Sequence, residues 1–276
     1  MTRPELPLEV TLETSRRCDR TCPWCRNSGP GGRRHQDLMD LGLFHRIIDE
    51  LGQLGYAGRL TIHNRHDPLL NRRLFEEIRY VREAAPLARP AIHSTGDLLN
   101  HARFRRLIRA GLGSLRVIRH PRRADSPPSQ AAIQAWLLRA GLLHRYPWDY
   151  QPGRQGLVAL LDLDGCRTEV VSPAGPGAHD NRPGRWRPPL AIRPRTAPCS
   201  LTATDAVIDF HGRMTMCRHV HPRIPAYAQY LIGDLRTGTV AGLWGSARMV
   251  AYRAAHAHAD WSLSPICAAC THGLTS

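Results

Sequence analysis

Eight cysteines carry the chemistry open to this chain, and their spacing sorts them. Cys18, Cys22 and Cys25 follow directly on the apolar-alternating run 8–14, which reads as a strand. Thiolates this close can reach one soft metal centre, and iron–sulfur clusters are held by thiolates. A cubane gripped by three cysteines keeps one iron open to a substrate or cofactor. A structural zinc site would need four ligands in spaced pairs, and no fourth Cys or His stands at such spacing here. Cys199, Cys217 and the pair Cys267/Cys270 form a second, complete set. On spacing alone that set suits zinc or an iron–sulfur cluster equally. Cys166 is left over. As a small apolar residue it belongs in a core; as a thiol beside a substrate radical it would donate a hydrogen atom.

Most of the fifteen histidines are isolated in the sequence. His219 and His221 follow Cys217 closely and read as neighbours of the cysteine set rather than ligands. His256 and His258 lie two apart on a predicted helix, so they point different ways.

The elements that must position these residues alternate. Helical periodicity runs through 38–54, 72–84, 102–110 and 129–143, with Ser129 as an N-cap. Between and after them lie strand-like runs at 59–63, 90–94, 114–118, 156–161 and 168–171. Repeated β–α units imply a parallel sheet able to curl into a barrel. The last two strands are too close for a crossover helix, so a hairpin is the alternative there. The Pro- and Arg-rich stretch 179–198 reads as a linker. Beyond it, 206–210 and 214–216 flank His211-Gly212-Arg213 as a hairpin, and 239–258 reads as one helix.

Length allows one large domain, or one with a small appendage. No apolar run could span a bilayer and the N-terminus lacks a signal-peptide core, so a soluble, cytoplasmic protein is expected. A reducing compartment suits thiolate ligands better than disulfides. Net charge is +15, and all 38 basic residues are Arg. GC-rich codon usage accounts for that most simply; an anionic partner is the functional alternative. The arginines are scattered, which argues against nucleic acid. Without Lys, no Schiff base to pyridoxal phosphate can form.

With Trp24 before its last cysteine, the Cys18–Cys25 stretch resembles the CxxxCxxC signature of radical S-adenosylmethionine (SAM) enzymes. That resemblance covers about residues 8–187. It implies an α/β fold, a partial (β/α)6 TIM-like barrel whose cluster loop follows the first strand. It also implies an open iron that chelates SAM, and a 5′-deoxyadenosyl radical that takes hydrogen from an unactivated C–H bond. Asn64-Arg65-His66-Asp67-Pro68 stands at the family's Gly-Gly-Glu-Pro-like segment, with Asp67 for the Glu and the glycines replaced. Ser94 opens the turn where the family often has Thr-Asn-Gly. Asn181 and Arg182 stand at an Asn-Arg-x-Gly element that faces SAM, where an Arg can pair bidentately with a carboxylate.

The stretch from Cys199 to Cys270 resembles the twitch/SPASM extension of these enzymes, in its shorter four-cysteine form. This implies domains at 1–187 and 188–276. It also implies a second [4Fe–4S] cluster, fully ligated by Cys199, Cys217, Cys267 and Cys270 and serving as an electron conduit. In size and cysteine layout the chain is similar to aminocyclitol dehydrogenases of the family. The implied reaction is oxidation of an alcohol on a small sugar- or cyclitol-like metabolite of natural-product biosynthesis. A flavodoxin or ferredoxin would supply electrons. The alternatives are an epimerase with Cys166 as hydrogen donor, modification of a ribosomal peptide, and a non-enzymatic iron–sulfur or zinc protein. No leader-binding segment stands ahead of the barrel, which counts against the peptide reading.

Overall fold

The protein is described by a computed structural model that covers residues 5–20, 38–119, 129–153, 156–173, 195–222 and 224–270. The chain runs β1 (Glu9–Leu12), α1 (Leu41–Gln53), β2 (Arg59–Thr61), α2 (Leu74–Ala84), β3 (Arg89–Ser94), α3 (His101–Arg109), β4 (Ser114–Ile118) and α4 (Gln130–Arg139). Then come β5 (Asp149–Gly153), β6 (Gly156–Leu163), β7 (Cys166–Pro173), α5 (Leu201–Thr204), β8 (Asp205–Ile208), β9 (Arg213–Thr215), β10 (Leu231–Asp234), α6 (Val240–Trp244) and α7 (Ala247–Ala257).

All ten strands join one sheet, in the order β10-β9-β8-β1-β2-β3-β4-β7-β6-β5. Its central stretch, β8 through β7, is parallel, and helices α1 to α3 complete the crossovers between β1 and β4. This is the partial TIM-like α/β barrel expected. Parity then sorts the side chains. Val10, Leu12, Leu60, Ile62, Ile92, Leu115, Val117 and Val170 enter the hydrophobic core beneath the helices. Glu9, Thr11, Arg59, Thr61, His93, Arg116 and Glu169 take the opposite, inner face. Helix α1 shows why the helical face buries: Leu43, Phe44, Ile47, Ile48 and Leu51 repeat at three- and four-residue spacing, and Asp40 caps the first turn by accepting from Leu43 N at 2.8 Å.

Three sequence expectations change. The runs at 156–161 and 168–171 are longer, as β6 and β7, and form the antiparallel hairpin that was the alternative there rather than two parallel strands. β7 alone occupies the parallel place beside β4, and β5, which the sequence reading did not include, pairs at the outer edge of β6. The short link Asp164-Gly165 makes this turn with both residues at positive φ, leaving no length for a crossover helix. Finally, the helix expected at 239–258 breaks in two. Ser246 caps α7, accepting from Met249 N at 3.3 Å, so the chain restarts after Gly245.

The predicted C-terminal hairpin is present as β8–β9, and β8 adds in parallel to the open edge of β1. Helix α1 helps hold this unit. Glu50 accepts from the backbone N–H groups of Val240 and Ala241 at 2.9 Å each, and Arg46 donates to Leu235 O at 2.6 Å. The expected boundary at 187/188 lies outside the described residues. Among the described residues no helix is long and apolar enough to cross a membrane.

Candidate active site and auxiliary metal centre

The loop that begins with Cys18 leaves the C-terminal end of β1, the end at which barrels build active sites. Ser15 and Leu38 bridge antiparallel, and Met39 N donates to Thr14 O at 2.9 Å, so the loop's exit and return lie side by side. Beneath them Asn71 Nδ2 donates to Thr14 Oγ1 at 3.1 Å and to Glu77 Oε2 at 2.8 Å, a buried tie to α2. Cys18 is half-buried. Cys22, Trp24 and Cys25 lie outside the described residues, as do Asn181 and Arg182.

Asp67 and Ser94 come together. Ser94 Oγ donates to Asp67 at 2.9 Å, Thr95 N and Oγ1 donate to it at 3.1 and 2.7 Å, and Leu69 N donates at 3.0 Å as Asp67 caps the following turn. Asp67 N in turn donates to Arg17 O at 3.3 Å, beside the first cysteine. The pair therefore fastens the ends of β2 and β3 to the start of the loop that begins with Cys18. One turn further, Asp97 accepts from Arg20 Nε at 2.6 Å and Arg119 Nη1 at 2.7 Å. Burial alone would raise the Asp97 carboxyl, but the two guanidinium groups outweigh it and hold it below its ordinary value.

The inner face is polar. Thr61 Oγ1 donates to Glu9 at 2.6 Å, Arg218 pairs with Glu9 at 3.3 Å and with Asp205 at 3.0 Å, and Arg116 pairs with Glu169 at 3.5 Å. Toward the C-terminal ends of β2 and β3 stand three histidines that the sequence left unconnected. His63 and His93 have ring centroids 4.9 Å apart, and His63 and His66 are 6.4 Å apart, edge to face. The alternation Arg59, Thr61, His63 signals only that His63 lies on the inner face; nothing local marks its meeting with His66 and His93. Burial lowers His66 and His93 to about 3 and His63 well below its ordinary value.

Cys166 is not with them. It opens β7 at the opposite end of the sheet and is 1% exposed within the core. It shares the core-facing parity of Val170, and burial pushes its thiol up to about 11. The sequence could not fix that parity, because it depends on the β6–β7 register.

The four C-terminal cysteines do converge. Cys199, Cys217, Cys267 and Cys270 line one pocket with Arg195, His219, His256 and Trp261. Ser264 O and Cys267 O accept from Cys267 N and Cys270 N, a tight turn that brings both thiols of CxxC to one side. Burial, reinforced by the neighbouring thiols, pushes Cys217 up to about 12, and Cys267 rises to about 11 chiefly through burial. Among the described residues no group of three or more side chains could hold a single metal ion, so the set fits a cluster, which takes each thiolate on a separate iron and whose charge would keep these thiols ionised, better than zinc. His219 lines this pocket as a neighbour, as expected. His256 does too, buried between Ser264 Oγ at 2.7 Å and Thr202 Oγ1 at 3.3 Å, whereas His258 is exposed.

Residues 199–271 match the SPASM family, an iron–sulfur cluster-binding domain. The chain is 32% identical over 111 residues to the S-adenosyl-L-methionine-dependent 2-deoxy-scyllo-inosamine dehydrogenase of Niallia circulans, a match spanning 40% of this chain and 44% of that relative. The fold matches the crystal structure of BtrN in complex with AdoMet and 2-DOIA, at TM-score 0.69 and 20% identity over 98% of this chain and 95% of that one. It also matches native anSMEcpe with bound AdoMet, at TM-score 0.58 and 8% identity over 91% and 83% of the two chains. The SPASM match covers the stretch that carries the four converging cysteines, the chain spans less than half the length of the curated relative it matches, and the two solved structures share its fold.

Proposed function

We propose that this protein is a radical SAM dehydrogenase that oxidises a secondary alcohol of an aminocyclitol or similar cyclic polyol. Cys18, Cys22 and Cys25 hold the SAM-binding [4Fe–4S] cluster, and Cys199, Cys217, Cys267 and Cys270 hold the auxiliary one. Clusters and SAM held by these residues would supply hydrogen-atom abstraction at a carbinol carbon and an acceptor for the electron that leaves as the hydroxyl proton passes to a base in the site. The chain's own residues prepare the space. Asp67 and Ser94 hold the rim formed by β2 and β3 against the cluster loop, and Trp24, Asn181 and Arg182 complete the SAM site. A flavodoxin or ferredoxin delivers electrons. The domains divide near 187/188.

The observation that carries this reading is the pocket of four thiols, a complete ligand set in a domain matched to cluster binding. A fully ligated cluster suits electron transfer, and oxidation needs an electron acceptor. The core-side position of Cys166 favours oxidation over epimerisation, which would require a thiol at the substrate. Anaerobic reconstitution tests the reading. The protein should hold about eight irons, two four-iron clusters' worth, and the Cys217→Ala variant about four. The wild type should convert 2-deoxy-scyllo-inosamine to its ketone while cleaving SAM; the variant should cleave SAM without forming ketone. Full iron content without SAM cleavage would contradict the proposal.

A further inference from the structure

Polar groups buried in folded proteins are nearly always hydrogen-bonded, so an exception calls for a reason. His66 is such an exception. It is 6% exposed, and neither Nδ1 nor Nε2 finds a hydrogen-bond partner among the described residues. Its two companions are engaged. His63 Nδ1 accepts from His93 N at 3.3 Å, and His93 Nε2 lies 3.0 Å from Arg59 Nη2. The backbone around His66 is pinned on both sides, since Arg65 N donates to Glu13 Oε1 at 3.2 Å and Asp67 N donates to Arg17 O at 3.3 Å. The ring is thus held beside His63, between the start of the cluster loop and the polar inner face.

We propose that His66 is a specificity-determining residue that hydrogen-bonds a hydroxyl group of the substrate, against a wall made by His63 and His93. This deepens the alcohol-oxidising reading above and rests on it. The chemistry of the ring selects the ligand class. Burial keeps the imidazole uncharged, so it presents one N–H donor and one bare acceptor nitrogen. A hydroxyl both donates and accepts, and can use either. A carboxylate or phosphate would engage only the donor, and an ammonium group only the acceptor. An uncharged polyol face is therefore what this site recognises.

Two variants of the cluster-loaded, SAM-bound enzyme test this. His66→Phe keeps a buried ring and removes both nitrogens; His66→Asn keeps a donor and an acceptor. Calorimetry with 2-deoxy-scyllo-inosamine and with scyllo-inositol should show about tenfold weaker binding to the Phe variant, the effect of one lost hydrogen bond, and most of it restored in the Asn variant. SAM affinity should match the wild type in both. A Phe variant that binds either cyclitol like the wild type overturns the proposal while leaving the alcohol reading standing. Loss of SAM affinity in both variants also overturns it, because the ring would then serve the cofactor. A wild type that binds neither cyclitol sinks the alcohol reading and the proposal together.

Discussion

The Nη2 of Arg65 donates to the carbonyl oxygen of Val220 at 2.6 Å. The same nitrogen reaches the carbonyl of Arg218 at 2.8 Å. A residue from the loop after β2, next to the proposed SAM site, therefore clasps the chain just past Cys217. The loop after β2 and the loop that follows Cys217 share one fastening. Charge-assisted hydrogen bonds of this kind contribute about 1.5–3 kcal/mol each.

Loosening that clasp should uncouple radical formation from oxidation. In Arg65→Met, SAM cleavage is expected to continue while ketone formed per 5′-deoxyadenosine falls about tenfold, as loss of one such bond would allow. Chromatography of both products measures the ratio. An unchanged ratio would show that the clasp plays no part in coupling.

Arg218 predicts a pH-dependent stability. It sits between Glu9 and Asp205. Burial raises both carboxyls. For Asp205 burial prevails and lifts it to about 6; for Glu9 the Arg218 charge and the Thr61 hydroxyl prevail and hold it below its ordinary value. Removing the guanidinium in Arg218→Gln leaves two half-paired carboxyls and should cost about 2 kcal/mol at pH 8, below the usual figure for a buried pair because Arg218 is partly exposed. Asp205, raised above its ordinary value, holds its proton below about pH 6 and then needs no partner. The penalty should shrink between pH 8 and pH 5, read by denaturant unfolding of the anaerobic enzyme. A penalty independent of pH would contradict the assignment.

Gly96 supports the rim. Its φ is +73°, and an added Cβ would lie 2.6 Å from Val117 Cγ1 and 2.7 Å from Trp136 Cζ2. Gly96→Ala should therefore destabilise the enzyme by about 2 kcal/mol, from backbone strain and the clash together. It should also weaken SAM binding, because Thr95 and Asp97 on either side are fixed to Asp67 and Arg119. Thermal melting with and without SAM checks both effects.

Cys166→Ala separates two chemistries. Its thiol packs in the core, so the variant should lose about 1 kcal/mol of stability for the vacated volume. Ketone formation should stay at the wild-type rate. Abolished turnover in a folded, iron-replete variant would instead mark Cys166 as a hydrogen donor.

The grouping of the four C-terminal cysteines, which line one pocket, could be read from the chain because the pair Cys267/Cys270 is local. So could helix α1 and the β8–β9 hairpin, each written in one short periodic run. The histidine wall could not. His63 and His66 lie in the loop after β2 and His93 on β3, and their meeting depends on a parallel register that no local pattern records. Cys166 illustrates the same limit: a one-residue change of register would turn it to the inner face. The split at Gly245-Ser246 was local, but the apolar period continues across it and hides the cap.

The central claim is best tested with 2-deoxy-scyllo-inosamine deuterated at the carbinol carbon to be oxidised. If the account holds, reconstituted enzyme under reducing conditions will move that deuterium into 5′-deoxyadenosine and release one ketone for each one labelled. Unlabelled 5′-deoxyadenosine, or label transfer followed by return of an inverted alcohol instead of ketone, would contradict it.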